Sequence, residues 1–213
     1  MDALLAFAAA LISLRLSGRL VGRWRTRRAP ELAMWAASLG SYALASAALA
    51  GGSAAGWNDT AFRLYYLFGG LLTAPLLGGG SLLLLGKRWV IPIVLVYAGI
   101  AIGIMLAEPL STGVSGSSIP EAQAHLDFFP ARLLALIGNI SGTAAVVGVA
   151  VLTIRRRPLG TGLILAGVAV AAAGSALAGL GATETAAFSA LGAVFLYTGF
   201  TVSSGKPRRP LPA

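Results

Sequence analysis

Apolar residues run along this chain in long blocks, separated by short stretches where charge, proline and glycine collect. A helix needs about 20 mostly apolar residues to cross roughly 30 Å of hydrocarbon. Seven blocks approach that length: 2–17, 31–50, 61–85, 89–107, 131–153, 159–180 and 184–203. The fourth is the clearest, with ten Leu, Ile or Val residues between Trp89 and Ala107 and no charge among them. At roughly 0.3–0.6 kcal/mol each, they favour insertion by about 3–6 kcal/mol. The pattern predicts an all-α polytopic bundle of seven transmembrane helices, one membrane domain over 1–205, with a basic tail at 206–213.

The first block is the weakest. Its apolar run is Ala3–Leu14, and Arg15 and Arg19 follow. A signal peptide carries positive charge before its apolar run, whereas here Asp2 precedes it. The expectation is a helix over 2–17 entering from outside, with its arginines reaching the inner headgroups and a loop over 18–30. Pro30 and Glu31 suit the first turn of the second helix. Thr60 is placed to cap the third, with Asn58 and Asp59 as turn residues. Pro158 opens the sixth block. The longest loop is 108–130. Ser118-Ile119-Pro120-Glu121 has capping-box form and predicts a short helix through about Phe128, until Pro130 opens the fifth span. The Ser-, Thr- and Gly-rich stretch 111–118 is expected to be flexible. No soluble catalytic or signalling domain is expected at either end.

Charge orients the bundle. The loop 18–30 holds Arg19, Arg23, Arg25, Arg27 and Arg28, and the alternate connections hold Lys87-Arg88, Arg155–Arg157 and Lys206, Arg208 and Arg209. With Arg15, fourteen of the sixteen Lys and Arg residues fall on one face. The opposite face has Arg63 and Arg132 with Asp2, Asp59, Glu108, Glu121, Asp127 and Glu184. Positive charge stays in the cytoplasm, which predicts the N-terminus outside and the C-terminus inside. The net charge of +9 is thereby absorbed as an orientation signal, and no nucleic-acid partner is expected. Only 11% of residues are charged, against roughly 25% in soluble domains. Richness in Ala, Leu and Gly, with Arg in excess over Lys, suggests a GC-rich bacterial source and hence the bacterial cytoplasmic membrane.

The chain has no cysteine, which excludes thiolate nucleophiles, Cys-held metals and iron–sulfur clusters. His125 is the single histidine, and the lysines are Lys87 and Lys206, both outside the predicted spans, so no retinal Schiff base is available. No cofactor and no metal is expected.

Helices one to three and five to seven share orientation, with the fourth as a linker. Arg25-Thr26-Arg27-Arg28-Ala29-Pro30 before the second helix parallels Arg155-Arg156-Arg157-Pro158 before the sixth. Asp59-Thr60-Ala61-Phe62 parallels Glu184-Thr185-Ala186-Ala187-Phe188. This three-plus-one-plus-three plan resembles the transporter–opsin–receptor group. The run Arg63-Leu64-Tyr65-Tyr66-Leu67-Phe68-Gly69-Gly70 resembles small uncharacterised bacterial seven-helix membrane proteins and, distantly, the seven-helix sensor regions that precede some histidine kinases. No sugar-transporter Pro-Gln motif and no family catalytic signature is present, so the resemblance carries no residue roles.

The third block holds the most unusual chemistry. Pro75 lies mid-span with Gly78-Gly79-Gly80 after it, a break tolerated only where neighbours or water satisfy the freed backbone. Such breaks mark substrate sites in transporters, though glycines also serve close packing. Arg63, Tyr66, Gly70 and Thr73 follow helical spacing on this span. Arg132, Asn139 and Thr143 share a face of the fifth. Together Arg63, Tyr66, Thr73, Arg132, Asn139 and Thr143 are the candidate ligand-binding residues of an outward-facing cavity. Two alternatives stand beside this: Asn139 simply bonds a neighbouring helix, and Arg63 and Arg132 are neutralised by nearby acids as a structural lid. Glu121, His125 and Asp127 are weak metal candidates, and Gly99 and Gly103 form a packing GxxxG.

No catalytic constellation lies within the predicted bundle, and no intramembrane carboxylate of the kind that drives ion-coupled pumping. The leading expectation is a non-enzymatic sensor or regulatory module. It binds a small or lipidic ligand at the outer face, or a membrane-protein partner, within the lipid bilayer. The alternatives are a small-solute transporter or facilitator, then an intramembrane lipid-modifying enzyme.

Overall fold

A computed structural model describes residues 2–153, together with scattered helical positions between 163 and 198. The two predicted spans 159–180 and 184–203, and the tail 206–213, lie outside the described stretch. Within it, five helices are long and apolar enough to cross a membrane. They are α1 (Ala3–Arg27, starting one residue earlier as a helix), α2 (Pro30–Ala55), α3 (Asp59–Leu84), α4 (Val90–Ala107) and α6 (Phe128–Thr153). A single turn, α5 (Ala122–His125), sits in the long loop before α6. The protein is a multi-pass helical membrane protein whose surface meets lipid.

α3 is the central helix, packing against α2, α4 and α6, while α1 packs on α2. Antiparallel order follows from which residues share a core. Ala6 of α1, Leu49 of α2, Phe62 of α3, Met105 of α4 and Ala131 of α6 bury together at one end, the loop end. Leu16, Leu20, Leu32, Leu39, Leu77 and Val146 bury toward the other, the arginine end. α4 has the highest mean hydropathy, 2.6, and leaves Leu95, Val96, Ile100 and Leu106 exposed. In a bilayer that face needs no protein partner, because lipid tails solvate it.

The first helix differs from expectation. It continues to Arg27 instead of closing near residue 17, so the predicted loop 18–30 is mostly helix. Leu16, Leu20 and Trp24 are spaced four apart and lie on one face, with Leu16 and Leu20 buried beside Leu32, Ala36 and Leu39. Arginine is a good helix former, so a basic segment with an apolar stripe stays helical. The Ser17 hydroxyl donates to the Ala36 carbonyl at 2.7 Å and ties the helices together there. The turn comes at Arg28, in the left-handed region at φ 52°, with its N–H bonded to the Trp24 carbonyl at 2.7 Å. Ala29 is extended before Pro30, as the proline ring requires.

Two further details are corrected. Asn58, not Thr60, caps α3, its side-chain oxygen accepting from the Ala61 N–H at 2.9 Å. The predicted helix from Ser118 to about Phe128 shrinks to α5, because Glu121 sits at its N-cap position without a capping hydrogen bond.

The stretch 111–118 was expected to be flexible and is instead tied down. The Val114 N–H donates to Asp59 Oδ1 at 2.8 Å, the Trp57 N–H to the Gly116 carbonyl at 2.7 Å, and the Ser111 N–H to the His125 carbonyl at 2.9 Å. Val114 and Leu126 bury with Trp57 and Phe62, so the loop is a lid across the helix ends.

Candidate functional site

Three helices converge on the break at Pro75. Proline has no N–H, so a carbonyl one turn earlier loses its donor. In an α-helix that carbonyl belongs to Leu71, and in a π-helix, with its i→i+5 bonds, to Gly70. α3 contains both registers, since Tyr66–Leu72 is π-helical and Thr73–Leu84 is α-helical. Both carbonyls are supplied from other helices. Asn139 Nδ2 of α6 donates to the Gly70 carbonyl at 2.6 Å and to Ala135 at 2.8 Å. The Tyr97 hydroxyl of α4 lies 3.1 Å from the carbonyls of both Leu71 and Leu134. The Thr73 hydroxyl donates to Phe68 at 2.6 Å, and Ser38 of α2 donates to the Thr73 carbonyl at 2.7 Å. α4 and α6 thus each send one polar side chain to the freed carbonyls, and α2 sends Ser38 to the carbonyl of Thr73 beside them.

The glycines after Pro75 let the neighbours approach. A Cβ on Gly78 would lie 2.6 Å from the Gly142 carbonyl oxygen of α6, and one on Gly79 would lie 2.9 Å from Val94 of α4. A Cβ on Gly80 would overlap the Trp35 ring of α2. In return, a Cβ on Gly142 would overlap the Ala74 carbonyl, and one on Gly138 the Tyr97 hydroxyl. Gly78, Gly79 and Gly80 are therefore three contacts with three helices, within a segment that stays α-helical.

A second group gathers at the loop end. Arg63 donates through its two terminal guanidinium nitrogens to the carbonyls of Met105 and Glu108, the latter at 2.7 Å. Met105 belongs to the last turn of α4 and Glu108 is the extended residue that ends it, so neither carbonyl has a donor within the helix, and a cation there also complements the helix dipole. Tyr66 stacks on Phe62 with ring centroids 6.0 Å apart, and His125 meets the other ring edge-on at 5.3 Å. Arg132 lies over the Phe128 ring at 5.8 Å and interacts electrostatically with Tyr66.

Glu108 stands among them. It is only 9% exposed, and neither carboxylate oxygen has a hydrogen-bond partner. Loss of water pushes its carboxyl above the usual carboxylate range. The nearby Ala131 backbone N–H opposes this, Asp127 adds to it and Arg63 opposes it.

The six predicted residues therefore divide. Thr73 and Asn139 meet at the Pro75 break. Arg63 and Tyr66 lie beside Glu108, with Arg132 beside Tyr66, seven to ten residues along α3 from Thr73. Thr143 is half-buried and joins neither set of bonds. Tyr97 and Ser38 were not singled out from the sequence. Tyr97 carries a signal, being the one hydroxyl-bearing side chain in α4, whereas Ser38 is one of several serines in α2 and carries none. The metal candidates face separate partners. Glu121 accepts from Gln123 at 3.2 Å, His125 Nδ1 lies 2.9 Å from the Thr112 hydroxyl, and Asp127 accepts from Ser111 at 3.3 Å. Away from both groups, an open groove of about 420 Å³ runs between α1 and α2, lined by residues including Ser17, Trp24, Gly40 and Leu44.

Comparison with protein-family models, with curated proteins and with solved structures finds no match to this chain.

Proposed function

We propose that this chain is a non-enzymatic sensor or regulatory module of the bacterial cytoplasmic membrane, with its lid outside and its arginine end in the cytoplasm. In this reading the spans 159–180 and 184–203 complete a seven-helix domain, N-terminus out and C-terminus in, and the lid end takes the ligand or partner. The observation that carries it is the placement of polar groups. At mid-span Asn139, Tyr97, Thr73 and Ser38 bond backbone carbonyls around Pro75. The ionisable groups Glu108, Arg63 and Arg132 lie instead at the loop end, beside Tyr66. A responsive site fits the loop end, where a buried carboxyl has no partner. The transporter alternative needs a polar path along α3 and α6, where Thr73 and Asn139 are already bonded to backbone carbonyls.

Two measurements test the reading. The chain has no cysteine, so single cysteines report sidedness cleanly. Ser115→Cys is expected to react with a membrane-impermeant maleimide in intact cells, and Thr26→Cys only after permeabilisation. The reverse pattern overturns the reading. Proteoliposomes loaded with carboxyfluorescein are expected to leak no faster than empty-bilayer controls. A protein-dependent flux lost in Asn139→Ala would favour the transporter.

A further inference from the structure

We propose that Glu108 is a proton-binding site that latches the lid, neutral while the 108–127 loop lies closed and charged when that loop lifts. This rests on the reading above that the loop end is the responsive face, and it names the proton as the ligand of that site.

The geometry is that of a carboxyl held largely out of water, with only the nearby Ala131 N–H and Arg63 favouring its charge. Both oxygens are buried and lack partners, although a strong donor is nearby. Arg63 donates to the backbone carbonyl of the same residue and to that of Met105, so its guanidinium is engaged as the cap of α4. A buried carboxylate with no hydrogen bond is costly, whereas a neutral carboxylic acid in the same place costs far less. The proton is also the one ligand that needs no cavity. It comes from and returns to bulk water at the lid end.

The charged and titratable groups facing Glu108 among the described residues are few. α3 presents Arg63 and, through electrostatic contact, Tyr66. The loop presents Asp127, and α6 presents the Ala131 N–H, with Arg132 coupled to Tyr66 beside it. Asp127 opposes ionisation and Arg63 favours it, so desolvation decides the balance while the lid is closed. Once the lid lifts, water reaches the carboxylate and Arg63 is free to pair with it, leaving the α4 carbonyls without their cap. Deprotonation at Glu108 therefore loosens two things together, the loop and the last turn of α4.

The test uses the full chain in lipid nanodiscs from about pH 5 to about pH 9, the range in which buried glutamates titrate. Infrared difference spectra are expected to show a carboxylic-acid C=O band at the low end that disappears at the high end and is absent in Glu108→Gln. Hydrogen exchange, corrected for intrinsic rates, is expected to show at least a tenfold loss of protection over 109–127 across that range in the natural chain and none in Glu108→Gln. Glu108→Asp is expected to restore the pH response. A band retained in Glu108→Gln, or loop protection that stays flat in the natural chain, overturns the proposal. If Glu108→Gln does not fold, carboxyl ¹³C shifts of the natural chain decide: one glutamate titrating well above the others supports the site, and none overturns it. Failure of the latch is distinguishable from failure of the outer-face reading. A lid that labels only from the cytoplasm defeats the latter while leaving the Glu108 titration intact, and a flat titration with a lid that labels from outside defeats the former.

Discussion

Asn139, a candidate ligand contact by its place in the sequence, bonds backbone carbonyls of α3 and of its own helix. Its side chain takes the Gly70 carbonyl, which loses its donor where Pro75 meets the π-helical register. The coupling is testable. Asn139→Ala is expected to lower stability by about 0.5–2 kcal/mol, in the range of interhelical hydrogen bonds and lost partners of buried groups. Pro75→Ala returns an N–H to α3 that competes for the same carbonyls. In that background Asn139→Ala is therefore expected to cost less, with a coupling of about 0.5–1.5 kcal/mol in a double-mutant cycle read by thermal or denaturant unfolding in detergent. Equal costs in both backgrounds would remove the repair account. Bonding of Asn139 to a neighbouring helix was legible from the sequence as one alternative. The identity of the partner was not, because it depends on the register of α3.

Among elements, α3 is defined by contacts on three sides, and its glycines are where those contacts close. Gly142 of α6 is the most constrained, since an added Cβ there meets the Ala74 backbone, which no rotamer change can move away. Gly142→Ala is expected to destabilise by about 1–3 kcal/mol, typical of overpacking against a fixed neighbour, measured as a drop in melting temperature. By contrast Gly99→Ala and Gly103→Ala are expected to be near neutral, because a Cβ at either meets nothing within 4 Å. The same comparison separates two sequence readings of similar form. The Gly78–Gly80 run is used for close packing, while the Gly99/Gly103 spacing is not used for it among the described residues. α1 offers the reverse lesson: its stripe of Leu16, Leu20 and Trp24 was visible in the sequence, but the surrounding arginines made the segment read as a loop.

For the whole molecule, the lid and the helix ends share one core, with Glu108 buried beside it. Burial raises the Glu108 carboxyl in the folded state, so the folded chain holds that proton more tightly than the unfolded chain. The stabilisation is fully present below the unfolded carboxylate value and is lost as pH rises through the raised folded value. The melting temperature of the natural chain is therefore expected to fall as pH climbs from about 5 into the alkaline range, and that of Glu108→Gln to vary less. A natural chain that gains stability over the same interval, where Glu108→Gln does not, would show that Glu108 is charged when folded.

Apolar block length and composition were enough to determine a multi-pass helical bundle, with five candidate spans in the described residues. These are one-dimensional properties: lipid selects for run length and composition without regard to neighbours. Tertiary structure alone decided which polar side chain meets which carbonyl. Arg63 became the cap of α4 and Asn139 the partner of Gly70, while Glu108 was left buried and unbonded. Those outcomes turn on interhelical distance and rotation of about an ångström or two, and hydrogen bonding at 2.6–2.7 Å in these contacts leaves no tolerance for a spacing pattern to predict.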